Sequence, residues 1–221
     1  MSTLGGVAAV LFDLDGTLVD SAPDLTGAAN EMLLARGLPA LPFETLRPMC
    51  GSGARGMVGS AFGLRPGEDG YEALKNEFLD RYELRLLRET RVFAAVEPLL
   101  AALRAAELRW GVVTNKAERF ALPLSQALEL RPGALVGGDS TPHTKPHPAP
   151  LLEAARRLGV APEHCVYVGD DERDVIAGQA AGMRTVAVRW GYLGQARAIE
   201  DWGASRVVDT PDELLRQLGL D

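Results

Sequence analysis

Cysteine is nearly absent: Cys50 and Cys165 are the only two in 221 residues. Neither stands in a CxxC or other ligand spacing, so the sequence offers no thiolate metal centre, and a reducing compartment fits. Positive charge is short as well. Twenty-three Lys and Arg against 30 Asp and Glu leave a formal net charge of -7, the wrong sign for a protein whose affinity rests on neutralising nucleic-acid phosphates. A small phosphate remains compatible, because a metal ion and one lysine can reverse the field locally. Long apolar runs are lacking too. The first run, residues 7–12, has no basic residue before it, is too short for a signal-peptide core or a membrane span, and ends against an acid. A soluble, cytoplasmic protein without nucleic-acid or membrane partners is expected. The sequence specifies no oligomeric state, internal repeat or low-complexity segment.

What the chain does have is apolar content, at 47%, enough to bury a sizeable core in one domain or in one domain carrying an insertion. Five short apolar runs, residues 7–12, 110–113, 134–136, 166–168 and 185–188, read as strands buried on both faces of a parallel sheet, with a sixth at 206–208. From the second run onward the intervals read as helices, around 118–128, 149–158 and 175–181, with Gly159 and Gly182 as stop signals. Strands alternating with helices predict a doubly wound α/β sheet.

The first interval is longer than one crossover helix requires, which predicts an inserted domain. Leu25, Ala28, Ala29, Met32 and Leu33 keep helical spacing, as do Tyr71, Leu74, Phe78, Tyr82 and Leu86, so residues 18–90 are expected to form a small helical bundle. The core is then 1–17 with 91–221. The glycine-rich stretch 51–63 is expected to be a loop.

Residues two apart in a strand face the same side, so Asp13 and Asp15 of Asp13-Leu14-Asp15-Gly16-Thr17 present two carboxylates at the carboxyl end of the first strand. Ligands bind at that end in open α/β sheets. A phosphate monoester dianion repels a carboxylate nucleophile, so the pair needs a cation. Asp170 and Asp174, after the fourth strand, supply further hard oxygen ligands that suit Mg²⁺. The expected cycle is covalent: Asp13 takes the phosphoryl group, Asp15 protonates the leaving oxygen and then activates water. Thr114 offers a hydroxyl at the second strand's mouth, Asn115 beside it is a candidate substrate ligand, and Lys145 offers a point charge. Each has a bland alternative as a turn, a helix cap or a solvated charge. Their conjunction on one rim favours the catalytic reading.

This pattern resembles the haloacid dehalogenase superfamily, whose motifs match as Asp13-x-Asp15-Gly16-Thr17, Thr114, Lys145 and Gly169-Asp170 through Asp174. The resemblance implies a strand order of 3-2-1-4-5, a helical cap after the first motif that closes over the site, and a metal held by Asp13, the backbone carbonyl of Asp15 and Asp170, with Asp174 nearby. Within the superfamily, Ser52-Gly-Ala-Arg-Gly-Met57, Trp110 through Lys116 and Trp202-Gly-Ala204 resemble the phosphoglycolate phosphatase group and, more closely, the bacterial N-acetylmuramic acid 6-phosphate phosphatases of cell-wall recycling. Both substrates carry a carboxylate, for which Arg55 is the candidate ligand. Three alternatives stand beside this. A dehalogenase has no use for Asp15, a phosphomutase keeps every motif, and a silent binding module would be expected to have lost a charged group.

Overall fold

The computed structural model describes residues 4–194 and 197–220. In chain order the elements are β1 (Ala9–Phe12), β2 (Val19–Asp20), α1 (Ala22–Leu34), α2 (Phe43–Leu46), α3 (Gly53–Phe62), α4 (Tyr71–Arg85), β3 (Arg91–Val92), α5 (Glu97–Ala105), β4 (Arg109–Val113), α6 (Glu118–Ala127), β5 (Ala134–Val136), α7 (Ala149–Leu158), β6 (Cys165–Gly169), α8 (Glu172–Ala180), β7 (Arg184–Val188), β8 (Arg206–Val208) and α9 (Pro211–Leu218). Six strands form one parallel sheet in the order β5-β4-β1-β6-β7-β8. That is the doubly wound order expected, with the reversal of direction between β1 and β6.

Alternation along β1 explains why all four of its residues are apolar and buried. Val10 and Phe12 join the cluster that holds Leu99 and Leu103 of α5, Leu124 of α6 and Leu214 of α9. Ala9 and Leu11 join Leu151 and Ala154 of α7 and Ala177 of α8 on the opposite face. A strand covered on both sides has no polar face to show, and this gives the unbroken apolar runs of the sequence. Helix α8 begins at Glu172, earlier than its apolar spacing suggests, because Asp171 and Asp174 close a reciprocal capping box over its first turn.

Helices α1 to α4 lie between β2 and β3, a short antiparallel ribbon pairing Val19 with Val92 and Asp20 with Arg91. They share their own cluster, in which Leu25, Met32, Leu46, Met57, Phe78 and Tyr82 pack together and meet Phe120 and Tyr192 from the sheet side. Asp24 ties α1 to the returning chain, accepting from the backbone N–H of Glu89 and Thr90 and from the Thr90 hydroxyl at 2.8–3.0 Å.

The expected loop at 51–63 is a helix instead. A 3-10 turn, Arg47–Ser52, leads directly into α3, which ends at Gly63 with φ 71°. Each interior glycine costs a helix about 1 kcal/mol relative to alanine, but here burial outweighs it. Met57 and Val58 are buried in the shared cluster, and Gly56 is required by contact, since a Cβ there would lie 2.3 Å from the Met49 carbonyl oxygen. Among the described residues no helix is long and apolar enough to cross a membrane.

Candidate active site

The chain leaves β1 at Asp13, whose backbone N–H donates to the Val168 carbonyl, and turns sharply through Gly16, with φ 85°. Glycine is needed there twice over: for the positive φ, and because a Cβ would sit 2.2 Å from Asp170 Oδ2. This close approach brings the ends of β1 and β6 together. Oxygen atoms of Asp13, Asp170 and Asp174 all lie within 4.8 Å of one another.

Asp170 is nearly enclosed, with Oδ1 accepting from the Thr17 hydroxyl and Oδ2 from the Tyr192 backbone N–H, both at 2.7 Å. Burial, then the neighbouring Asp13 and Asp174, push it well above the usual carboxylate range. Asp174 is pushed up to about 7, chiefly by burial and against the pull of Lys145. Carboxylates this crowded hold protons unless a cation takes their place. Three hard oxygen donors at this spacing fit a small divalent ion such as Mg²⁺.

Lys145 is only 4% exposed. Its Nζ stands 2.8 Å from Asp13, 2.7 Å from Asp174 and 2.8 Å from the Tyr167 hydroxyl. Burial favours the neutral amine, but the two carboxylates outweigh it, so the ammonium is held charged. Thr114, at the end of β4, is buried at the rim and accepts from the Lys116 backbone N–H.

Of the two expected substrate ligands, Asn115 borders the cavity that reaches Asp13 and Arg55 does not. Asn115 uses its side-chain amide on the backbone of Lys145, donating to the carbonyl at 3.0 Å and accepting from the N–H at 2.9 Å. It positions Lys145 rather than facing a ligand with a free amide. Arg55 is exposed on α3 and borders two outer grooves, away from the cavity that reaches Asp13. Its neighbours there include Arg65 on one side and Arg173 and Arg197 on the other. The helix that replaced the expected loop fixes it there.

Asp15 lies apart from the three-carboxylate cluster. Its side chain takes a hydrogen bond from Ser21 Oγ and pairs with Lys116 Nζ at 3.2 Å. The Asp15 carboxyl is therefore engaged by Ser21 and Lys116 and not by the cluster.

A cavity of about 280 Å³ opens over these groups. Asp13, Asp15, Thr114 and Lys116 form its floor, while Leu25, Cys50, Phe78, Leu79, Tyr82 and Phe120 form an apolar wall. Sequence reasoning missed Lys116, Ser21, Tyr192 and Arg173. Lys116 had a signal, being two residues past Thr114 at a strand end. Tyr192 had none, because its backbone N–H on Asp170 and its hydroxyl on the Ser21 and Ala22 N–H groups exist only in the folded chain. Arg173 reaches across to the Gly51 carbonyl at 2.6 Å, a contact between the start of α8 and the helical insertion.

A family model for haloacid dehalogenase-like hydrolases matches residues 10–188. The chain is 45% identical over 208 residues to the N-acetylmuramic acid 6-phosphate phosphatase of Pseudomonas putida, covering 93% of both. It is 48% identical over 209 residues to a phosphoglycolate phosphatase of Xanthomonas campestris pv. campestris, covering 93% of this chain and 94% of that one. In three dimensions it matches a predicted phosphoglycolate phosphatase from Haemophilus somnus 129pt, with a TM-score of 0.83 and 29% identity over 96% of this chain and 98% of that one. Relatives of nearly equal identity thus carry two different substrate names.

Proposed function

The chain belongs to the haloacid dehalogenase-like hydrolase family and is a phosphoric monoester hydrolase; from that premise we propose that it uses Mg²⁺ and an aspartyl-phosphate intermediate to hydrolyse N-acetylmuramic acid 6-phosphate. Asp13, Asp170 and Asp174, with the Asp15 carbonyl, would hold the ion. When bound, the ion screens the carboxylate nucleophile from the phosphate dianion and stabilises charge on the transferring group.

The chain's own groups do the rest. Asp13 attacks phosphorus, its carboxylate already oriented by Lys145 and by the Leu14 N–H at 2.7 Å. Lys145, the Thr114 hydroxyl and the amides of the turn after β1 receive the phosphoryl oxygens from several directions. Asp15 gives its proton to the leaving oxygen and then takes one from the water that hydrolyses the acyl phosphate. We assign residues 18–90 to a cap domain that selects the substrate and excludes water, and 1–17 with 91–221 to the catalytic core. Two free, buried thiols go with a reducing cytoplasm.

The observation that carries the substrate reading is the cavity. Its 280 Å³ and its wall, where the Phe78 and Tyr82 rings are parallel to within 2°, suit the apolar face of a sugar. A two-carbon acid would leave that wall against water. Arg119 and Arg173 line the same cavity and supply positive charge toward a lactyl carboxylate. The second reading, 2-phosphoglycolate, draws on the likeness to the phosphoglycolate phosphatase of Xanthomonas campestris pv. campestris. The test is kcat/KM for both esters at one Mg²⁺ concentration. Preference for the sugar phosphate of about 100-fold, or 2.7 kcal/mol, is expected, and the reverse preference would sink the assignment. Label from ¹⁸O-water entering phosphate separates a hydrolase from a mutase.

A further inference from the structure

Lys116 is built into the site in a way the hydrolytic cycle above does not use. Its ammonium lies 3.2 Å from Asp15 Oδ2, 2.8 Å from the Tyr82 hydroxyl and 4.5 Å from the centre of that ring. The side chain is 7% exposed although it borders the cavity. Burying a lysine this far costs desolvation of the charge and ordering of a long side chain, so the groups that offset that cost define where the ammonium sits. Those groups are Asp15 at the end of β1 and Tyr82 on α4.

Tyr82 is fixed in turn. It stacks on Phe78 at 6.2 Å between centroids and meets Phe120 edge-on at 5.5 Å. The second oxygen of Asp15 accepts from Ser21, so the carboxyl group is held at both oxygens. Removing Lys116 frees one of them and lets the group rotate away from the leaving oxygen.

We propose that Lys116 is a positioning residue for Asp15, and that Tyr82 holds Lys116 in place, so that proton transfer by Asp15 depends on α4 lying over the sheet. The proposal rests on the reading of Asp15 as proton donor. In the first step a bond forms between an Asp13 oxygen and phosphorus. The bond from phosphorus to the leaving oxygen breaks, its electron pair goes to that oxygen, and the oxygen takes the proton of Asp15. An alkoxide needs that proton to leave, whereas nitrophenolate departs without it.

The experiment measures single-turnover phosphoryl transfer at saturating ester, and KM, for the full chain with Mg²⁺. Lys116→Met, Lys116→Arg, Tyr82→Phe and Asp15→Asn are compared on three esters: the alkyl phosphates N-acetylmuramic acid 6-phosphate and 2-phosphoglycolate, and p-nitrophenyl phosphate. Lys116→Met should slow transfer about 100-fold on whichever alkyl ester the parent turns over, and less than about threefold on the aryl ester, with KM little changed. Lys116→Arg should recover about tenfold of the loss, and Tyr82→Phe should show the same selectivity at about fivefold. Equal slowing on alkyl and aryl esters would make Lys116 structural, and a rise in KM with the saturating rate intact would make it a substrate ligand. Either result overturns the proposal. If Lys116→Met does not fold, Tyr82→Phe decides alone, an unchanged alkyl-to-aryl ratio being the negative result. Asp15→Asn tests the premise separately: if it slows all three esters alike, Asp15 is not the proton donor, whatever Lys116 does.

Discussion

The rim of the sheet and the wall above it are built by opposite means. On the rim, the charged and hydroxyl groups follow strand ends, lie on the segments leading to the next helix, or stand in that helix's first turn. Asp13 follows β1, Thr114 follows β4 and Asp170 follows β6, so a parallel sheet alone gathers them. On the wall, Leu25, Cys50, the α4 pair Phe78 and Tyr82, and Phe120 come from four different elements and meet only through packing. Chemistry is therefore set by topology, and shape by side-chain burial. Changes to the phosphoryl-handling groups of the rim should alter rate for every ester and changes to Asp15 and its supports the rate for alkyl esters, whereas changes elsewhere on the wall should alter stability and which ester is bound.

The largest effect should come from Asp13→Asn, which removes the proposed nucleophile. Turnover of sugar, glycolyl and aryl phosphates should fall together by at least about 10⁴-fold, or 5.5 kcal/mol, at an unchanged Tm. A loss that depended on the ester would break the comparison. Next is Phe78→Ala on the wall. Phe78 is 1% exposed, and its truncation should cost about 3 kcal/mol of unfolding free energy. It should also raise KM for the sugar phosphate about tenfold with kcat within about twofold. Denaturant unfolding and steady-state kinetics check both.

A smaller effect concerns the metal-free rim. Asp174 rises from 3.8 to about 7 on folding, and Asp170 also rises. Both are raised carboxyls, so the folded chain binds more protons than the unfolded one between about pH 4 and pH 7, and stability falls as pH rises through that window. In EDTA, Tm should drop by about 5 °C from pH 5 to pH 7.5. Saturating Mg²⁺ should remove the drop, and a Tm that rises with pH in EDTA would contradict the electrostatics of the cluster. The smallest effect is that of Arg55→Ala, which should change KM for either carboxylate-bearing ester by less than about twofold, since the side chain stands outside the cavity.

This contrast also explains what could be read in advance. The strands and the placing of Asp13, Thr114 and Asp170 were legible because buried parallel strands impose unbroken apolar runs, and the residues just beyond them inherit the rim; strand order and the role of Lys145, on the long segment after β5, followed from the resemblance to the family. The interval 51–63 was not, because a glycine-rich sequence signals a loop by propensity, whereas the helix there is held by Met57 and Val58 in a core that the local sequence does not reveal. Asn115 illustrates a finer limit. Its position at the rim was evident, but its partner, the backbone of Lys145 on another loop, was not. Lys116 was visible as a rim residue, yet its burial depends on Tyr82, which is distant in sequence and supplied by α4.

The ribbon of β2 and β3 carries a further consequence. Asp20 sits directly opposite Arg91 in an antiparallel pair, so the chain that departs for the helices returns beside its own point of departure. A two-residue turn spans such a gap. The segment after Ser21 and before Thr90 can thus be lengthened, shortened or exchanged without moving the ends that the sheet must hold, provided that the replacement keeps a partner for Lys116 where Tyr82 now stands. Phe120 and Tyr192 are the apolar seat that any replacement would have to cover. In evolutionary terms the fold offers an interchangeable head on a constant reaction centre, and the diversification of ester preference would require no rebuilding of the strands beneath.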